Sequence, residues 1–95
     1  MERTFASRLL EELVGQVVVV DLRSTYVCLG KLERADEVYI EIKDADLHDF
    51  RDSTATREVY IHDSVRFGVR RNRAKVLVRL DEVVAITRFR DVSES

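Results

Sequence analysis

The stretch from Arg66 to Arg79 carries Arg66, Arg70, Arg71, Arg73, Lys75 and Arg79 and no acidic residue. Cationic side chains at this density suit phosphate. Repeated around an oligomer, they would add their potentials and track a nucleic-acid backbone. Upstream the sign reverses: Asp36, Glu37, Glu41, Asp44, Asp46, Asp49 and Asp52 face only Lys43 and Arg51. The formal net charge is −2, so the distribution of charge is informative where the balance is not. Two solvated faces, or complementary patches on neighbouring copies, explain the same polarity without a ligand.

Other chemistry is poorly supported. His48 and His62 stand among acids without the spacing that fixes a metal site, and no metal or cofactor is expected. The pairs Asp44 and Asp46, or Asp49 and Asp52, suit a solvated face or a helix start better than acid–base work. There is no glycine-rich phosphate loop, nucleophile elbow or Cys/His pairing, so the chain does not read as an enzyme. The single cysteine, Cys28, lies in an apolar stretch and reads as a structural thiol in a reducing compartment, the cytoplasm.

The elements that must position these residues follow from periodicity and punctuation. Thr4 or Ser7 can cap a short helix with apolar Phe5, Leu9, Leu10 and Leu13, which Gly15 ends. Gln16 to Leu22 is a β-branched strand buried on both faces. Tyr26 to Leu32 is a second strand with Gly30 inside it, the mark of a sharp bend or a close backbone approach. After a polar turn over Glu33 to Glu37, Val38, Ile40 and Ile42 alternate with Tyr39, Glu41 and Lys43 as a third strand. Val76 to Leu80 and Val83 to Thr87 are two more, separated only by Asp81 and Glu82. Such a gap requires either a strand bending straight into the next at a barrel corner or a two-residue turn.

Residues 46–74 show two periods. Val59, Ile61, Val65, Phe67 and Val69 alternate as in a strand. Ser53 or Thr54 at one end, and Arg66 and Gly68 at the other, are the start and stop signals of a helix. The helix is preferred, because Asp63 interrupts the alternation.

At 95 residues the chain suffices for one domain with a marginal core, and self-association is the expected source of further stability. No apolar run reaches the roughly 18 residues that span a bilayer, and the charged N-terminus is unlike a secretory signal, so no membrane role is expected.

Helix, three-strand meander with a bent second strand, insertion, two short strands: this order resembles the Sm-like (LSm) family. Gly30, Leu32, Asp36, Val38, Ile40, Ile42, Asp44 and Ala45 follow its first motif, with the turn one residue short. Val78 to Ile86 follow its second, except that Leu80 replaces the glycine. The resemblance implies a mainly β fold, a small five-stranded, strongly bent SH3-like or Sm-like barrel. It would occupy residues 1–95 as helix 4–14, meander 16–45, helical insertion 46–74 and closing strands 75–90. It also implies a homo-oligomeric ring, in which the fourth strand pairs with the fifth strand of the next copy, and a pocket for single-stranded RNA.

Carried over residue by residue, that pocket involves Asp36 and Tyr39 from the first motif and Arg79 and Asp81 from the second. Arg70, Arg71, Arg73 and Lys75 are further phosphate candidates. Tyr39 falls where the family's base-reading Asn stands, which removes amide readout and leaves a ring on which a base can stack. Two readings stay open: an RNA-binding ring, and an oligomeric scaffold without RNA readout that serves an unidentified protein partner.

Overall fold

A computed structural model describes residues 7–52 and 54–93. Its elements are α1 (Arg8–Glu11), β1 (Val17–Leu22), β2 (Tyr26–Ala35), β3 (Tyr39–Asp49), α2 (Arg57–Phe67), β4 (Arg73–Arg79) and β5 (Val83–Arg88). Single 3-10 turns follow β3, β4 and β5 at Phe50–Asp52, Leu80–Glu82 and Phe89–Asp91.

The Ser7 hydroxyl accepts from Leu10 N at 3.0 Å and starts α1; the expected helical positions Thr4 and Phe5 lie outside the described residues. Gly15 takes φ +88° and donates its N–H to Leu32 O at 2.7 Å, which ties the end of the helical turns to β2. Leu10 and Leu13 then rest on the core.

The strands form one antiparallel sheet in the order β4-β3-β2-β1-β5. Laid flat, its two edges would stand about 19 Å apart, at roughly 4.8 Å per strand. Yet the turn Leu80–Glu82 alone joins edge strand β4 to edge strand β5. A chain that short reaches only about 14 Å even when extended, so the sheet must curl. Of the two connections expected at Asp81 and Glu82, this is the barrel corner; the two-residue hairpin is excluded because β4 and β5 are not paired neighbours. The strongly bent five-stranded sheet is as expected, although its cylinder is left open, with no β4–β5 ladder among the described residues.

Gly30 makes the bend. A Cβ at that position would stand 2.6 Å from Ile42 Cγ2 and 2.9 Å from Lys43 O, at φ +156°. The β2–β3 register slips at this point, Leu29 pairing with Asp46 but Lys31 with Lys43, and Asp44 in the bulge takes φ +50°. Alternation then fills both faces of the central strands. Val18, Val20, Cys28, Leu32, Ile40, Ile42 and Val78 build a core under α1, and Val19, Val27 and Leu29 build another with Ile61 of α2. Cys28 is fully buried; desolvation, then the negative charge of Asp46, pushes its thiol up to about 12. It is a packing group.

The insertion contains the expected helix with different bounds. β3 runs on to Asp49, because Leu47 joins the inner core and His48 and Asp49 pair with Val27 and Tyr26. The helix cap is Thr56, whose hydroxyl accepts from Val59 N at 3.2 Å; Ser53 lies outside the described residues. Gly68 closes the helix at φ +103°. β4 begins at Arg73, ahead of the expected 75 or 76, so Arg73 and Lys75 are strand residues.

Candidate nucleic-acid interface

The β2–β3 turn and the β4–β5 corner meet where Leu80 N donates to Val38 O at 2.8 Å. Asp36 shapes the turn. Its Oδ1 accepts from the N–H groups of Tyr39 at 2.7 Å and Val38 at 2.8 Å, while its own N–H donates to Tyr39 O. These backbone donors hold its carboxyl below the usual carboxylate range, so Asp36 is occupied with the fold. Tyr39 is 39% exposed and is the cross-strand partner of Arg79. The Arg79 guanidinium donates twice to Asp81, at 3.1 and 2.8 Å, which raises the Arg and lowers the Asp from their ordinary values. Both side chains are about two-thirds exposed, so solvent screens the ion pair and leaves it weak. An incoming phosphate can compete with it.

Tyr39 also lines a cleft of about 310 Å³ with Arg34, Asp36, Glu41 and Leu77. Of these, only Asp36 and Tyr39 were among the sequence candidates. Arg34 is held by Glu41 at 2.9 Å, its neighbour across the β2–β3 ladder, a pairing that only the register reveals. Leu80, the residue in the glycine position, packs toward the core with Val83 and Ile86 and borders a different cleft, against α1.

The remaining candidates lie elsewhere. Arg73 opens β4 and Arg79 closes it, about 20 Å away at the usual rise per residue. Arg71 is paired with Asp44 in the bulge, and Arg73 donates to Asn72 O at 3.1 Å. Lys75 stands opposite Lys43, so β3 and β4 present two like charges side by side. The structure therefore brings Asp36, Tyr39, Arg79 and Asp81 together and separates them from Arg70, Arg71, Arg73 and Lys75. Sequence reasoning also missed Asn72, which clips the insertion to β3 by accepting from Leu47 N at 3.0 Å and donating to Asp46 Oδ1 at 3.1 Å.

The sequence matches no protein-family model, and it matches no curated protein significantly. Solved structures are informative. An Sm protein from Pyrococcus abyssii, determined in complex with a uridine heptamer, aligns over 84% of this chain and 92% of its own, with TM-score 0.58 and 20% identity. An Sm-like protein from Archaeoglobus fulgidus aligns over 90% and 96%, with TM-score 0.59 and 16% identity. The fold is the Sm fold. A P. aerophilum Sm-type heptamer aligns over the same shares of the two chains at TM-score 0.54 and 20% identity. In Sm-fold terms, the site at Tyr39 and Arg79 joins the turn after β2 to the corner after β4, and α2 fills the connection from β3 to β4.

Proposed function

We propose that the chain is an Sm-like, non-catalytic subunit that assembles with copies of itself into a ring and offers single-stranded RNA the surface formed by Tyr39 and Arg79. The observation that carries the reading is the cross-strand placement of Tyr39 beside Arg79. An exposed ring on which a base can stack adjoins a cation held only by a weak surface pair. The P. abyssii neighbour with its uridine heptamer supports RNA as the ligand class.

The edges support assembly. β4 and β5 each leave a row of backbone N–H and C=O groups unpaired, and each exposes an apolar residue, Leu77 at 57% and Val84 at 66%. Pairing the β4 edge of one copy with the β5 edge of the next satisfies both rows; repeated head to tail, it closes a ring or runs on as a filament. The heptameric neighbour favours closure. No helix among the described residues is long and apolar enough to cross a membrane, and the buried Cys28 suits the cytoplasm.

A second reading, an oligomeric scaffold for another protein, is favoured by the closed Arg79–Asp81 pair and by the engagement of Asp36 in its turn. Light scattering of the purified protein, followed by fluorescence anisotropy of a labelled oligouridine over a salt series, separates the two. The RNA reading expects a multimer whose binding weakens with salt and drops about 5- to 150-fold in Tyr39→Ala, the range of one stacked base. A multimer with no salt-dependent binding leaves the scaffold, and a monomer at high concentration removes both.

A further inference from the structure

The insertion builds a further cleft, to which the candidate residues contribute only Arg70. It lies between α2 and the far end of β3, encloses about 640 Å³, and is lined by His48, Tyr60, Asp63, Ser64, Phe67 and Arg70, with Asp63 the one acid among the described lining residues. Its rim is unusual for a surface helix. Phe67, in the last turn of α2, is 77% exposed, and the Arg66 guanidinium lies 5.3 Å from the centre of its ring. Among the described residues neither Arg66 nor Arg70 enters an ion pair, whereas Arg71 is paired with Asp44. At the wall, His48 stacks on Tyr60 with centroids 4.0 Å apart, and its Nε2 is buried without a hydrogen-bond partner. An orphaned buried polar atom calls for a partner.

The geometry points to a second site for single-stranded RNA in this cleft. Phe67 stacks one base on the face that Arg66 leaves free, Arg66 and Arg70 bind the flanking phosphates, and His48 Nε2 hydrogen-bonds the inserted group. Charge selects the occupant: two unpaired guanidiniums beside an exposed aromatic ring suit a polyanion of stackable units better than an apolar protein segment. This second site rests on the RNA reading above but uses the opposite end of β3, so one strand could engage both ends of the subunit.

The test uses the full-length protein and three probes: labelled oligouridine, labelled oligoadenylate, and a 4-thiouridine oligomer for photo-crosslinking and peptide mapping. Phe67→Ala should weaken binding of at least one oligomer about 5- to 150-fold, with Phe67→Trp restoring it. Arg66→Glu with Arg70→Glu should flatten the salt slope by about 1.4, roughly 0.7 for each phosphate no longer neutralised. Crosslinks should map to α2 as well as to the Tyr39 turn. Since all three residues are exposed, unchanged circular dichroism is expected and separates a binding defect from a folding defect. Wild-type affinity in Phe67→Ala, with crosslinks confined to the Tyr39 turn, overturns this site and leaves the first one standing. Absence of RNA binding by the wild type overturns both.

Discussion

Tyr60, on the insertion helix α2, donates its phenolic hydrogen to the carboxylate of Asp46, a β3 residue only 2% exposed. The bond fastens the helix to the sheet at an acid that strand alternation turns fully inward. Asn72 supplies a second donor, so the carboxylate is satisfied from both ends of the insertion. A buried acceptor that loses a partner costs about 1–3 kcal/mol. Tyr60→Phe should therefore lower the unfolding free energy by that amount, read as a lower urea midpoint with an unaltered slope. An unchanged midpoint would mean that α2 is held by Ile61 and Val65 alone.

The same hydrogen bond sets a pH dependence. Burial first, then the hydrogen bond and the negative charge of Asp46, pushes Tyr60 above its ordinary 10.0. The folded state thus favours the protonated phenol. Its contribution is complete below pH 10 and fades as the pH climbs beyond that value. Stability of the wild type should fall more steeply than that of Tyr60→Phe in denaturant titrations above pH 10, and parallel curves would count against the linkage.

Gly30→Ala tests the bend that brings β4 within reach of β5. The added methyl meets Ile42, which can shift, and Lys43 O, which is backbone and cannot. Overpacking of this kind costs about 1–3 kcal/mol, and the positive φ adds to it. Thermal denaturation should show a drop of several degrees for this one methyl, while Gly15→Ala, which has open space around its Cβ, shows only the smaller cost of its backbone angle.

How far these features are legible in the sequence depends on whether their cause is local. The bend at Gly30, the buried β1 and the helix ending at Gly68 each rest on a few adjacent residues, and each is visible in the linear pattern. The cap is harder to place because Ser, Thr and Asp crowd residues 52–56 and any of them could start a helix; packing of Tyr60 and Ile61 selects Thr56. Strand β3 outruns its expected end because the alternation of Asp46, Leu47 and His48 has meaning only once α2 covers one face. At the candidate site, motif spacing locates Tyr39 and Arg79. The engagement of Asp36 by its turn, of Arg71 by Asp44 and of Arg34 by Glu41 depends on register and the bulge, which no linear pattern displays.

Cys28 should be nearly inert to thiol reagents in the native protein. A thiol moved from 9.0 to about 12 holds about a thousandfold less thiolate at pH 8, before access is considered. Labelling by a disulfide reagent should be slow until urea unfolds the chain and then complete. Fast labelling of the folded protein would contradict the packing of β2 against β1 and β3.

Asp81→Asn decides whether the closed pair at Arg79 suppresses RNA binding. The wild-type bridge is two hydrogen bonds between well-exposed groups, so its removal should leave the denaturation midpoint essentially unchanged. The guanidinium it releases stands opposite Tyr39, where a phosphate flanking a stacked base would lie. Removing the competing carboxylate should tighten oligouridine binding about two- to fivefold, the equivalent of a weak surface pair, and steepen the salt dependence by about one phosphate. Arg79→Gln should abolish that gain in the double variant. If Asp81→Asn binds RNA no better than the wild type while Tyr39→Ala still weakens binding, Arg79 is a structural partner of the β4–β5 corner and the ring of Tyr39 acts without it.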